Sequence, residues 1–202
     1  PHRLYTKPGH LFSSNIELSV VPKSRFVSRG GDKLAAAFSL WPIEVDGQVA
    51  LDIGASTGGF SDCLLQYGAS RIYAVDVGKG QLAEQLQRDS RIVNLDRTNA
   101  RYLPGFSPAP SLVVMDVSFI SACTLLPSAA AAADPGSDVL VLVKPQFEAP
   151  YKAVNDHGVV VDVSERASAV ASVINWGIVR HWRFGGLLRS PLKGPAGNFE
   201  YL

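Results

Sequence analysis

The sequence predicts an α/β fold, a mainly parallel sheet of seven strands with helices on both faces. Two observations carry that expectation. Short apolar runs at Val49–Ile53, Ile72–Asp76, Leu112–Asp116 and Val139–Val143 recur between helix-like stretches, and unbroken apolar runs of this length are what strands buried on both faces require. Glycines at 54, 58 and 59 follow the first run, where a parallel strand must turn sharply into the next helix.

Taken in order, an Ala/Leu-rich helix over Leu34–Leu40 stops before Pro42. The first strand, Val49–Ile53, leads through the glycine loop into a helix over Gly59–Tyr67 that Gly68 closes. Ile72–Asp76 is the second strand, Gln81–Gln87 a helix and Ile92–Leu95 the third strand. Leu112–Asp116 and Val139–Val143 follow, separated by a helix over Leu125–Ala133. A helix from Ser164 to about Trp176 has Ser164 as its expected N-cap. Two terminal strands, Arg183–Leu188 and Asn198–Leu202, complete the count.

The stretch before this domain differs in character. Over residues 1–22, Lys7-Pro8-Gly9 reads as a turn and Ile16–Val20 as a short alternating strand, so the expectation is the tail of a separate small module and a linker. The main domain then spans 23–202. Pro1 stands where a Met would begin a chain, which points to a missing upstream part. Basic residues concentrate here: Arg3, Lys7, Lys23, Arg25, Arg29 and Lys33 against Glu17 and Asp32. With 19 Lys and Arg against 18 Asp and Glu overall, the net charge of +1 excludes a general polycation, so any nucleic-acid contact rests on such a local patch.

No apolar run approaches the ~20 residues that span a bilayer, and no signal peptide opens the sequence. Cys63 and Cys123 form no disulfide framework and lack metal-ligand spacing, so the expectation is a reduced, cytoplasmic setting and no metal.

Ligands of open parallel sheets bind beyond the carboxyl ends of the strands. At that end the first strand reads Asp52-Ile53-Gly54-Ala55-Ser56-Thr57-Gly58-Gly59-Phe60. The loop lacks the G-x-G-x-x-G spacing that seats a dinucleotide, and it has no P-loop lysine. An acid ahead of such a loop suits a cationic group, such as the methionine amine of S-adenosylmethionine. A second acid, Asp76, ends the next strand and suits two ribose hydroxyls. Charges also finish the fourth and fifth strands, at Asp116 and Lys144. A lysine closing a run of buried valines and leucines is costly unless it is paired or functional. Lys33, at the first helix, and Glu200, among apolar neighbours near the end, have ordinary readings as a surface lysine and an edge-strand acid.

Several of these segments together carry a family resemblance. Phe26–Leu34, Leu51–Leu65, Tyr73–Gly78, Arg97–Arg101, Met115–Ile120, Val143–Glu148 and Gly194–Glu200 occur in family order, and the chain resembles the TlyA (haemolysin A) family over roughly 26–202. The resemblance implies a Rossmann-like, FtsJ-like methyltransferase that uses S-adenosylmethionine to methylate a ribose 2′-hydroxyl of ribosomal RNA, in the family a cytidine. It implies a Lys-Asp-Lys-Glu catalytic tetrad at Lys33, Asp116, Lys144 and Glu200, with Lys144 next to the acceptor hydroxyl. The cofactor contacts expected are Asp52, Gly54, Ala55, Ser56, Thr57, Gly58, Gly59, Phe60, Asp76, Val77, Thr98, Asn99 and Asp116. Arg25 and Arg29 are the expected phosphate contacts. The resemblance further implies ribosomal RNA or assembled subunits as partners and a small RNA-binding domain of which residues 1–22 are the tail. Segment Arg180–Leu188 departs from the family pattern.

Competing readings are a nicotinamide dehydrogenase, disfavoured by the glycine spacing, and an amino-group methyltransferase. The latter would carry Asn/Asp-Pro-Pro-Tyr/Phe where this chain has Asp116-Val117-Ser118-Phe119. A haemolysin-type membrane-acting protein needs an inserting helix or amphipathic hairpins, which the sequence does not offer. A non-catalytic RNA-binding module would have no use for four charged residues at strand ends.

Overall fold

Burial dictates the order of the layers. The computed structural model describes residues 25–202. The separate module expected over 1–22, the strand at Ile16–Val20, and Arg3, Lys7 and Lys23 lie outside the described residues. Helix α1 (Gly30–Leu40) precedes strand β1 (Val49–Ile53), and the glycine loop leads into α2 (Gly59–Gln66). Then come β2 (Arg71–Val75), the single turn α3 (Glu84–Gln87), β3 (Ile92–Leu95) and β4 (Leu112–Met115). Helix α4 (Leu126–Ala132), β5 (Asp138–Val141), α5 (Pro145–Glu148) and α6 (Val163–Ile178) complete the fold.

The strands form one sheet in the order β3-β2-β1-β4-β5, every pairing parallel. Its sides are separate cores, as alternation along each strand requires. Ala50, Leu112 and Val114 face α1 and α2, packing with Leu34, Phe60 and Leu64. Leu51, Ile53, Val113 and Met115 face α4 and α6, packing with Leu126, Ala129, Val170 and Val173. The chain leaves β1 toward β2 on one side and returns as β4 on the other. The sheet therefore changes direction between β1 and β4, and a crevice opens there above the strand ends.

Five strands form instead of seven. The two expected terminal strands reduce to single antiparallel bridges, Val143 to Tyr201 and Arg189 to Tyr201. Gly185 and Gly186 offer no side chains to pack, and Pro191 has no amide to donate, so neither segment extends a ladder. The pairing still lays the end of the chain along β5: Val143 N–H donates to Tyr201 O at 2.6 Å and Leu202 N–H to Leu188 O at 2.8 Å.

Other boundaries shift for local reasons. Helix α1 begins at Gly30, four residues before the expected Leu34, and the helix expected over Gln81–Gln87 shrinks to one turn. The N-cap of α6 is Asp162, not Ser164: the Asp162 carboxylate accepts from Ser164 N–H at 2.7 Å and Glu165 N–H at 3.0 Å. Cys63 and Cys123 are both free thiols.

Candidate active site

The glycine loop is pinned on three sides. Gly54 N–H and Ala55 N–H both donate to Val75 O, at 2.9 and 3.1 Å, fixing the loop against the end of β2. Gly54 sits at φ +84°, and a Cβ there would lie 2.4 Å from the carbonyl oxygen of Asp116, so only glycine lets the β1 and β4 exits close on each other. Gly58, at φ +96°, packs its α-carbon against Leu82 and Leu86. Ser56 has a left-handed backbone without being glycine (φ +48°), a strained conformation that its surroundings impose. Ser56 N–H donates to one Asp76 oxygen at 2.8 Å and Gly78 N–H to the other at 2.7 Å. Asp76 thus clamps the loop to the β2 exit, with a lone pair left on each oxygen. Thr98 N–H donates to Asp76 O at 2.9 Å, which brings the β3 exit to the same rim.

The loop's side chains face different ways. Ser56, Thr57 and Val77 are exposed; Ala55, Gly58, Gly59 and Phe60 are buried, Phe60 within the α1/α2 core. Asn99 uses its carbonyl to accept from Arg101 N–H at 3.0 Å, capping a short 3-10 turn. Asp52 is wholly buried (0% exposed). Its Oδ2 accepts from Ser61 Oγ at 2.6 Å, while Oδ1 is buried with no hydrogen-bond partner. Burial pushes the Asp52 carboxyl up to about 7, against the pull of the Ser61 hydroxyl.

The four charged residues form two ion pairs. Lys144 Nζ lies 2.6 Å from Asp116 Oδ1 and donates to Ser118 Oγ at 2.9 Å. Lys33 Nζ lies 2.5 Å from Glu200 Oε2, both nearly inaccessible. The Val143–Tyr201 bridge unites the pairs, because the next position of that antiparallel register sets Lys144 opposite Glu200. Gly194 makes room for Glu200: a Cβ there would stand 2.5 Å from Oε1. Asp116 N–H donates to Ile53 O at 3.0 Å, so the backbone of Asp116 borders the β1/β4 crevice while its carboxylate pairs with Lys144.

Arg29 lies at the N-terminus of α1, beside Lys33 and the rim. Arg25 does not join it. Its guanidinium rests on Phe26 and Tyr67 and its Nε donates to Gln66 Oε1 at 3.4 Å, at the far end of α2. A residue that sequence reasoning missed directly follows Ser118, the hydroxyl that Lys144 holds. Phe119, in the turn after Asp116, is 91% exposed at φ +64°, its ring centroid 5.2 Å from that of Phe147. The only hint in the sequence is an aromatic in a turn that no core periodicity demands. Glu148 steadies this turn by accepting from Ser121 Oγ at 2.6 Å and Ala122 N–H at 2.7 Å.

A glycine loop at the turning point of a parallel sheet is where open α/β enzymes bind their ligands. The overall shape finds counterparts among methyltransferases: Aeropyrum pernix fibrillarin, solved with bound S-adenosyl-L-methionine, superposes with a TM-score of 0.56 over 85% of this chain and 74% of that one, at 16% identity. The chain belongs to the FtsJ-like methyltransferase family, whose model matches residues 26–202. It is 45% identical over 202 residues, 96% of this chain and 74% of the relative, to the 16S/23S rRNA (cytidine-2′-O)-methyltransferase TlyA of Mycobacterium tuberculosis. A solved "putative hemolysin" from Lactococcus lactis superposes with a TM-score of 0.84 at 39% identity, covering 89% of this chain and 87% of that one. Among the described residues, no helix is long and apolar enough to cross a membrane.

Proposed function

We propose that this protein transfers a methyl group from S-adenosylmethionine to the 2′-hydroxyl of a ribose in ribosomal RNA, a cytidine as in the name of the Mycobacterium relative. The observation that carries the reading is the Lys144–Asp116 pair, joined through the terminal bridge to Lys33–Glu200 at the carboxyl edge of the sheet.

The residues present fit the cofactor. A buried carboxylate oxygen of Asp52 with no protein donor lies beneath the loop, a short-range counter-charge for an amino group. Asp76 keeps lone pairs for ribose hydroxyls, and the exposed Ser56, Thr57 and Val77 with Thr98 and Asn99 border the adenosine position. Gly54 and Gly58 shape the loop by turning in the left-handed region and closing on Asp116 and on Leu82 and Leu86, with Ala55, Gly59 and Phe60 behind them. When bound, S-adenosylmethionine supplies an electrophilic sulfonium methyl. The chain's own residues do the rest. Orientation of the acceptor in line with that methyl is worth up to ~7–11 kcal/mol. Lys144 binds the 2′-oxygen and stabilises the negative charge that grows on it, while the hydroxyl proton leaves to the Lys144–Asp116 pair. Ser118 and Asp116 aim the Lys144 amine; Lys33 and Glu200 fix the wall behind it and the incoming ribose.

Phe119 fits a further role in the same reaction. An exposed ring held in a strained turn beside the amine is a stacking platform for the base whose ribose is methylated. Arg29 is positioned for a flanking phosphate. Residues 1–22 belong, on this reading, to the tail of a small RNA-binding domain, and a ribosomal substrate places the protein in the cytoplasm. The test is incubation of the full-length protein with labelled S-adenosylmethionine and separated ribosomal subunits, followed by mapping of the modified nucleotide. A labelled ribose in ribosomal RNA is expected. Label on a base, on protein or nowhere overturns the reading, and lysis of cells by the purified protein would restore the membrane-acting alternative.

A further inference from the structure

We infer that Arg166, Arg189 and Lys193, gathered on the ring of Phe199, form a second binding site that takes a backbone phosphate of the RNA substrate. The inference rests on the RNA-methylation reading above for the identity of the polyanion. The three charges surround one aromatic ring, with Lys193 Nζ 4.3 Å from its centroid, the Arg166 guanidinium carbon at 5.2 Å and that of Arg189 at 5.3 Å. No two of them can therefore be further apart than the sum of two such distances, about 10.5 Å, close to the ~10 Å Debye length at 0.1 M ionic strength. Like charges so close repel one another, yet no carboxylate among the described residues lies within ion-pair distance of any of the three.

The means by which they are held is the informative part. A carboxylate would fix a cation by neutralising it; the face of a phenyl ring fixes it and leaves its charge free for another partner. Arg166 is anchored further by donating to Val160 O at 3.0 Å and to Val161 O, while its Nε is buried with no partner. Asp162, the neighbouring acid, has its carboxylate committed to the first amides of α6. Arg189 and Lys193 are exposed. Two planar guanidinium forks and an ammonium around an apolar floor match the oxygens of a phosphodiester.

The place is right for a substrate that already reaches the tetrad. Phe199 immediately precedes Glu200, so its ring lies across the terminal segment from the Lys33 pair, one Cα step of about 3.8 Å along the chain. Arg189 pairs through its backbone with Tyr201, and Lys193 lies in the turn that Gly194 N–H closes on Asn198 O at 3.0 Å. Asn198 in turn accepts from Val160 N–H at 3.0 Å and donates to Gly158 O at 2.7 Å, which fixes the Arg166 side of the site. An RNA strand whose ribose is seated at Lys144 crosses the terminal segment to lay a more distant phosphate on this cluster.

The test leaves Arg166 intact, since it also braces the backbone, and compares the full-length protein with R189Q/K193Q and with the charge-preserving R189K/K193R. Binding of a labelled single-stranded RNA oligonucleotide is measured over a salt series. Each phosphate contact contributes ~0.7 to the slope of log affinity against log salt for single strands, so the double glutamine variant should lose up to about 0.7 from the slope. A fourfold rise in salt should then cost it about 2.6-fold less affinity than it costs wild type. R189K/K193R should keep the wild-type slope, and KM for ribosomal subunits should rise in R189Q/K193Q with kcat and cofactor affinity unchanged. An unchanged slope in R189Q/K193Q overturns the phosphate site even if ribose methylation is found. A lowered slope sustains the site even if no ribose is methylated, in which case the methyl-transfer reading alone falls.

Discussion

Asp52 makes stability fall as pH rises, and replacing it with asparagine should remove that slope. In the unfolded chain the carboxyl titrates near its ordinary 3.8; in the fold, burial raises it to about 7. Below pH 3.8 both states hold the proton and the group contributes nothing. Between 3.8 and 7 the unfolded chain releases the proton that the folded chain keeps, so the native state binds more protons and stability drops with rising pH. The rate is ~1.4 kcal/mol per pH unit, which comes to about 4 kcal/mol across the whole interval and about 3 kcal/mol between pH 5 and 8. No solvent screening softens this, because the residue is fully buried. Urea unfolding of wild type and Asp52→Asn at pH 5, 6, 7 and 8 isolates the effect, since all other groups titrate alike in both. The wild type should lose about 3 kcal/mol relative to the variant over that span. Saturating S-adenosylhomocysteine, which keeps the amino group, should shrink the difference by placing a cation near Oδ1. Parallel stability curves for the two proteins would refute the buried, uncompensated carboxylate. A difference that ligand leaves untouched would refute its role toward the amine.

Lys144→Ala should lower kcat by at least ~10²–10⁴, the usual worth of a positioned acid–base group, with cofactor affinity by calorimetry close to wild type; wild-type methylation would overturn the assignment. Lys33→Met strands the buried Glu200 carboxylate and should cost ~3–5 kcal/mol in urea unfolding, while the double change K33M/E200L should recover most of that stability but not activity. Phe119→Ala removes the exposed ring without touching the core, so RNA affinity should fall by ~1–3 kcal/mol, read as fluorescence anisotropy, with an unchanged Tm.

The sheet was legible because both of its faces are covered: β4 and the 72–75 part of β2 show as unbroken apolar runs, β1 as a run interrupted by Asp52 alone, and their placement needs no tertiary information. Segments whose state depends on partners were not. Residues 183–188 and 198–202 look like strands by composition, but glycines, Pro191 and the lack of a long partner leave only bridges. Helix α5 begins at Pro145 and is one turn long, too short for any period to register. The site divides the same way. Asp52, the glycines and Asp76 are local to two strand ends and could be argued from spacing. The Lys33–Glu200 pair joins residues 167 positions apart, which no local pattern encodes, so only the family resemblance pointed to it. Arg25 looked like a neighbour of Arg29 because four residues separate them, but the intervening backbone runs along α2, tied by Val27 N–H to Asp62 Oδ2 at 2.7 Å, and carries the two to opposite ends.

The union of Lys33 with Glu200 makes the order of synthesis matter. A ribosome making this protein releases the first helix long before the acid that completes its ammonium, so the whole parallel sheet can assemble around a half-made centre. A chain whose last residues still lie in the exit tunnel can thus hold its parallel sheet while the Lys33 ammonium awaits its carboxylate.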